Sequence, residues 1–341
     1  MPFHRPDTLR RAGLAALLGL MAFALGGCET LMVATGMRMR LDGIPLQSIT
    51  ASLDGTTALA PGGKAPLSII ATTTDGRALA TVGTGDGKVL ADSYRFEASV
   101  AAVSAGGVVS LPDDPRLVEG RTPHVRITAA GTTAPVADLD IPVRYDVPFA
   151  ATYAGADGMD GTSGFDGNAG SDGSMGSIDP NSPSAGGDGG NGTDGADGGD
   201  GQPGEPGPGV QVWVALEAGA HPLLRVRASE AGRDHFFLVD PRGGSLAIAV
   251  RGGAGGAGGG GGTGGRAGSG GSGQPSGSSG RPGHDGWNGR PGPGGPAGHV
   301  TMTVDPAAAA WLERLHITSV DGDGRAGSAP AITIAPVASP W

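Results

Sequence analysis

The chain has 341 residues, of which 68 are glycine and only 4% are aromatic, and its formal net charge is −10. An acidic chain without a basic cluster is poorly suited to nucleic acid, so nucleic-acid binding is excluded from the candidate functions. Residues 155–207 and 252–298 hold 43 of the 68 glycines, and the rest of the chain has ordinary composition. The sequence therefore predicts β-domains interrupted by two glycine tracts.

The N-terminus has the layout of a secretory signal. Three arginines precede the apolar run LAALLGLMAFAL, which is too short to span a bilayer stably. Residues 25–28 read LGGC, and Cys28 is the only cysteine, so no disulfide can form within the chain. This motif resembles the lipobox of bacterial lipoproteins. The resemblance implies that residues 1–27 are a signal peptide and that Cys28 carries the lipid.

The resemblance also implies a location. Acyl chains on Cys28 would make lipid the membrane contact, and more than one chain would anchor the protein firmly. Glu29 follows the cysteine where an Asp would favour retention at the inner membrane, which favours the bacterial outer membrane. Residues 1–27 carry a charge of +2, so the mature chain has a net charge of −12. The alternative is a chance thiol behind an ordinary signal peptide.

Two regions have the pattern of short β-strands. After a tether over 28–43, residues 44–150 alternate strands such as LSIIATTT with Gly, Pro and Asp turns, which predicts a β-sandwich. The stretch VAAVSAGGVVSLPDDP, followed by HVRITAAG, resembles the end of bacterial immunoglobulin-like domains. The region has no Cys pair and no Trp, which excludes an antibody-type core.

A second β-domain is split by the second glycine tract into residues 208–251 and 299–341. VQVWVALEAG, LLRVRAS, HFFLVD and LAIAVRG precede the tract, and HVTMTVD, LHITSV and AITIA follow it. Between the last three, DPAAAAWLERL predicts one short helix that Asp305 caps and Pro306 begins, with Trp311, Leu312 and Leu315 turned inward.

Glycine recurs at every third position in both tracts. The first tract, within domain 151–207, has segments 155–176 and 186–207, which differ in phase. In the second, 252–298, glycine recurs at this period over 253–271 and again over 277–298, with a single miss at Gln274. Period three is typical of polyproline II, which has no internal hydrogen bonds and needs neighbours. The neighbours could be two other chains, as in collagen, or the same chain doubling back as a polyglycine-II bundle.

Several features favour doubling back. Strands of one domain flank the second tract, turn residues interrupt both tracts, and Asp replaces proline at many positions before glycine. Four segments of about 22 residues would form two antiparallel hairpins roughly 65–70 Å long. In residues 252–265 two of every three positions are glycine, so two edges of that helix carry no side chains. This segment is therefore predicted to lie at the centre of the bundle, and the other segments are predicted to lie on the outside. The pattern resembles the glycine-rich domain of Obg-type GTPases and the polyglycine-II tips of phage adhesins. The second tract keeps the same glycine phase on both sides of its break, so it could also be one long strand. A homotrimeric collagen-like stalk therefore stays an alternative to a monomer.

No catalytic constellation is visible. His4, His124, His221, His235, His284, His299 and His316 lack metal-ligand spacing and a nucleophile partner. GGNGTDGAD, residues 189–197, resembles one calcium β-roll repeat, so Asp188, Asp194, Asp197 and Asp200 are calcium candidates; the alternative is that these carboxylates only keep the segment soluble. Phe165 and Trp287 are either contact residues or pack between the hairpins.

These observations predict an all-β protein with an immunoglobulin-like β-sandwich and a second β-sandwich from which polyproline/polyglycine-II helices project. The expected role is non-enzymatic and needs no cofactor: a lipid-anchored cell-envelope protein with a structural or adhesive function. The partner would be a surface, a matrix or a polysaccharide. A trimeric collagen-like stalk and a calcium-binding surface module are the alternatives.

Overall fold

The computed structural model describes residue 33 and residues 37–82, 88–129, 135–219 and 221–341. It divides into two compact units, residues 1–145 and 146–341. Both units are built from β-strands, and the prediction of an all-β protein with two sandwiches is confirmed. The signal peptide and Cys28 lie outside the described residues.

The first unit is a sandwich of two sheets around one apolar core. One sheet has the order β1-β2-β6-β5 with β3 added beside β2, and the other has the order β4-β7-β8. Alternate residues of β2 point into the core, and Ile69 and Ala71 are fully buried there. The strands are β1 Leu46–Leu53, β2 Lys64–Thr73, β3 Ala78–Ala80, β4 Tyr94–Ser99, β5 Ala102–Val103, β6 Val108–Ser110, β7 His124–Ala129 and β8 Val136–Asp140, with 3₁₀ helices Ala91–Ser93 and Pro115–Leu117.

The predicted tether over 28–43 is wrong at its C-terminal end. Leu41 is 2% exposed and belongs to the core of the first unit. The Met39 N–H donates to the Lys88 carbonyl at 3.0 Å, and the Leu90 N–H donates to the Met39 carbonyl at 2.9 Å. Residues 39–41 are therefore part of the domain, because an apolar side chain within reach of the core is stabilised by burial.

The second unit contains the other sandwich. One sheet has the order β12-β11-β10-β14-β16, and the other has the order β15-β13-β9 with all pairs parallel. Val212, Val214, Leu246 and Ile248 lie in the core between them. The strands are β9 Pro148–Ala154, β10 Val210–Glu217, β11 Leu223–Glu230, β12 Arg233–Val239, β13 Ser245–Arg251, β14 Val300–Val304, β15 Leu315–Val320 and β16 Ala331–Ile334, with a 3₁₀ helix Pro306–Arg314.

One predicted boundary is wrong, and the predicted short helix is present. Strand β9 pairs with β13, so residues 146–150, which were predicted in the first domain, belong to the second unit. The predicted helix after Asp305 is a 3₁₀ helix, although its start is as expected: the Asp305 side chain accepts from the Ala307 N–H, and Pro306 is the first helical residue. Its residues Trp311 and Leu312 pack partly buried against the core.

Four glycine-rich segments continue four strands of this sandwich. We call them glycine helix 1 (155–176), glycine helix 2 (186–207), glycine helix 3 (252–273) and glycine helix 4 (277–298). Helices 1 and 3 leave β9 and β13 and run parallel to each other, as those strands do. Helices 2 and 4 lead into the parallel strands β10 and β14. The glycine helices keep the register of the strands that they continue. Partners are 97 positions apart both in β9 and β13 and in helices 1 and 3. They are 90 positions apart both in β10 and β14 and in helices 2 and 4.

Backbone hydrogen bonds at period three join the glycine helices side by side. Seven bonds run from helix 1 to helix 3 and seven from helix 2 to helix 4. Seven more run from helix 2 to helix 1, seven from helix 3 to helix 2 and seven from helix 4 to helix 3. Helices 2 and 3 therefore each bond to three neighbours and form the centre, while helices 1 and 4 lie on either side of them. This is the polyglycine-II arrangement within one chain.

Two predicted details differ from this bundle. Helix 3 is central as predicted, but so is helix 2. In helix 2, the residues that directly follow the periodic glycines form a second row, which includes Thr193 and Ala196. Their N–H groups donate to helix 1, while their side chains are exposed on the surface of the bundle. The alternative of one long strand through the second tract is wrong, because the chain reverses at residues 273–275 and helix 4 runs antiparallel to helix 3.

Candidate functional site

The aspartates of the glycine helices accept hydrogen bonds from backbone N–H groups of the neighbouring helix. The Gly158 N–H donates to the Ala254 carbonyl at 2.8 Å, and Oδ1 of the preceding Asp157 accepts from the Ala254 N–H at 2.7 Å. The side chain thus supplies an acceptor for an N–H that faces away from every neighbouring backbone. The same closed pair recurs at Asp160, Asp166, Asp172, Asp188, Asn191, Asp194, Asp197 and Asp200.

The position of these side chains follows the chemistry of the partner residue. All five residues of helix 2 that face an N–H on helix 4 are Asp or Asn; their partners are Ser278, Arg281, His284, Trp287 and Arg290. Where the partner is proline, which has no N–H, an Ala or Pro stands instead: Ala185, Pro203 and Pro206 precede glycines that bond to Pro275, Pro293 and Pro296. The sequence therefore matches this register residue by residue.

The four calcium candidates have this role. Asp188, Asp194, Asp197 and Asp200 each accept a backbone N–H at 2.7 Å through Oδ1. Successive members are at least three residues apart along an extended helix, about 9 Å, so they cannot share one cation. Within the residues that the structure describes, no three His, Cys, Asp or Glu side chains are placed to hold a metal ion.

Phe165 and Trp287 do not pack between the hairpins. Their exposed fractions are 85% and 81%, so the alternative of a buried packing role is wrong. The Ala196 N–H donates to the Phe165 carbonyl at 2.9 Å, and the Trp287 N–H donates to Asp197 at 2.7 Å. The two aromatic residues therefore stand at one level along the bundle, on either side of adjacent residues of helix 2.

Both aromatic residues belong to rows that flank helix 2. A Cβ added to Gly187, Gly190 or Gly199 of helix 2 would meet a hydroxyl group of helix 1. These hydroxyls belong to Ser174, Ser171 and Thr162, which lie at multiples of three positions from Phe165 and so form one row with it. In helix 4, Asp285 and Asn288 reach toward helix 3, which leaves the row of Trp287 on the side of helix 2. We call this side, with Met159, Phe165, Arg281, His284, Trp287 and Arg290 around helix 2, the aromatic face.

Charged side chains on this face have room for a ligand. Asp194, Asp197 and Asp200 use only Oδ1 for the backbone, so Oδ2 of each is open. In the described part of the chain, the guanidinium groups of Arg281 and Arg290 form no ion pair. The face therefore alternates donors and acceptors around two exposed rings.

The histidines are dispersed apart from one ion-pair cluster on the first unit. His124 lies between Asp140 at 2.8 Å and Asp138 at 3.1 Å, and Arg126 also pairs with Asp138. The hydrogen bond to Asp140, together with that to Asp138, raises the pKa of His124. This cluster is exposed on strands β7 and β8 and has the geometry of a cross-strand ion pair. His4 lies outside the described residues, and the other five are on separate elements.

No family model matches this chain, and no curated protein or solved structure matches it either. Among the described residues, the structure contains no helix that is both long and apolar enough to cross a membrane. The glycine bundle and its faces are therefore the features of this chain that bear on its function.

Proposed function

We propose that this chain is a non-enzymatic, lipid-anchored protein of the bacterial cell envelope, and that it holds a rigid glycine bundle for a structural or adhesive role. The observation that carries the proposal is the closed bundle. Each glycine helix bonds to its neighbours at every third residue, so one chain forms a long, rigid surface without a partner. The proposed anchor is the acylated Cys28, which follows the short apolar run of the proposed signal peptide.

The anchor is tested by changing Cys28 to serine. We expect the wild-type chain to incorporate radiolabelled palmitate in a bacterial host and to sediment with outer-membrane fractions. The C28S variant should lose the label and most of its membrane association, because no other lipid attachment site is proposed. The control is a Ser177→Ala variant, which should keep both. An unlabelled wild-type chain, or a C28S variant that remains bound to membranes, would contradict the proposed anchor.

A trimeric stalk is the competing architecture, and the mass in solution decides between the two. Intrachain bonds already use the glycine N–H groups that collagen would use between chains. We therefore expect residues 29–341 to sediment as a monomer with a polyproline-II signal in circular dichroism. A trimer that dissociates as that signal melts would contradict the closed bundle and would favour the stalk.

A further inference from the structure

We propose that the aromatic face binds a neutral polysaccharide, with sugar rings stacked on Phe165 and Trp287. This inference rests on the proposed function and names its partner. Both rings are more than four-fifths exposed, and both stand on backbone that hydrogen bonds hold on either side. Both rings lie on one face of the same bundle, and an aromatic side chain offers a large apolar surface of fixed geometry to a ligand.

The placement of the two aromatic residues suits an extended ligand. Hydrogen bonds place Phe165 and Trp287 at one level, with Ala196 and Asp197 of helix 2 between them. The two rings are therefore separate platforms that one extended ligand can contact together. Because the backbone is already ordered, stacking costs little conformational entropy in the protein. The C–H groups of a pyranose carry partial positive charge, which complements the negative face of an aromatic ring.

The polar groups around the rings suit hydroxyl groups. Oδ2 of Asp197 and Oδ2 of Asp200 are acceptors whose positions are fixed by the bond that Oδ1 makes to Trp287 or Arg290. The Arg290 and His284 side chains, on the same row as Trp287, supply donors. Sugar hydroxyls both donate and accept, so one ligand can satisfy both kinds of group.

The charges on this face disfavour the other ligand classes. Helix 2 presents Asp188, Asp194, Asp197 and Asp200, whereas the adjacent row of helix 4 presents the two positive charges of Arg281 and Arg290. An anionic polysaccharide would be repelled by the more numerous carboxylates. Ala196 and the polar rows separate the rings, so the face lacks the contiguous apolar area on which protein interfaces are centred.

The test uses the full chain, purified in detergent, and measures binding to cellulose, chitin, mannan and dextran, with alginate as the anionic probe. We expect one or more of the neutral glycans to bind. Phe165→Ala and Trp287→Ala should each weaken that binding by about tenfold or more, because each removes one stacking platform. Met175→Ala is the matched control: Met175 is 86% exposed but lies in the row that faces helix 3, and its loss should leave the affinity unchanged.

Circular dichroism of each variant establishes that the bundle is intact, which is expected because both side chains are exposed. Binding to none of the neutral glycans, binding to alginate alone, or equal binding by the wild-type chain and both variants would overturn the inference. Those results would leave the lipid anchor and the monomeric bundle untouched, since these are measured by fractionation and by mass. An unlabelled Cys28 beside ring-dependent glycan binding would overturn the anchor only.

Discussion

Replacing Gly262 with alanine is expected to disrupt the glycine bundle, whereas the same replacement at Gly260 is expected to leave it intact. A Cβ on Gly262 would lie 2.0 Å from the Phe165 carbonyl oxygen and 2.4 Å from its carbon, both of which are backbone atoms. No rotamer change relieves that contact, so helices 1 and 3 would have to separate and lose their hydrogen bonds. We expect a loss of at least about 3 kcal/mol in the free energy of unfolding.

Gly260 provides a control within the same run of five glycines. A Cβ there would meet nothing within 4 Å, and its φ is outside the left-handed region. Gly260→Ala should therefore be neutral or stabilise the fold slightly, by up to about 1 kcal/mol, because alanine restricts the unfolded chain. Thermal unfolding followed by the polyproline-II band measures both variants. Equal melting temperatures for Gly262→Ala and the wild type would contradict the close approach of helices 1 and 3.

The glycine pattern predicts the central place of helix 3 but not that of helix 2. Two glycines in every three over 252–265 predict a helix with neighbours on two sides, and helix 3 has them. Helix 2 has a comparable place, although only Gly187, Gly190 and Gly199 add a second glycine beside a periodic one. A residue such as Thr193 fits there because its N–H points to helix 1 while its side chain lies on the surface, a distinction that depends on direction and not on residue size.

The backbone role of the aspartates could have been found from the sequence, given the register. At a constant offset of 90 positions, Asp or Asn falls opposite residues with an N–H, and Ala or Pro falls opposite proline. Composition alone predicts only that Asp keeps a glycine-rich segment soluble or attracts calcium. The offset itself is set by the pairing of β10 with β14, which is a long-range contact, and local pattern does not encode it.

The turns and strands were more accessible to prediction because they depend on local chemistry. Asp179 and Pro180 begin the turn that separates helices 1 and 2, as the break in glycine period predicts. The aromatic face could not be predicted from the sequence. Phe165 and Trp287 are 122 positions apart, and only the register of three helices brings them to one level along the bundle.

Changing Asp188, Asp194, Asp197 and Asp200 together to alanine is expected to weaken the pairing of helices 2 and 4. Four backbone N–H groups would lose their acceptor, and water would replace it only in part, because these amides face the groove between two helices. We expect the melting temperature to fall by about 5 °C or more. Hydrogen exchange at the amides of Ser278, His284, Trp287 and Arg290 should be about tenfold faster or more.

The matched control changes the same four residues to asparagine. Asn191 already occupies this row and accepts the Arg281 N–H at 2.7 Å, so an amide oxygen serves as well as a carboxylate oxygen in geometry. The asparagine variant should keep slow exchange at the four amides. A Pro203→Asp variant should gain nothing, because its partner Pro293 has no N–H. Fast exchange in the asparagine variant would mean that charge, and not the acceptor, holds the two helices together.

At Asp166 on helix 1, lowering the pH tests the role of the carboxylate without a mutation. The hydrogen bond from the Thr263 backbone N–H, together with the Thr263 side chain, lowers the pKa of Asp166 below the usual range of an aspartate, and desolvation opposes this only partly. A carboxylate with a lowered pKa stabilises the fold above the pKa of the unfolded chain, and the contribution is lost as the pH falls through the folded value. Acidification below about pH 4 should therefore loosen helix 1 from helix 3. Asp166→Asn should remove this share of the pH dependence while the Thr263 amide stays protected, and an unchanged acid transition in that variant would place the acid sensitivity elsewhere.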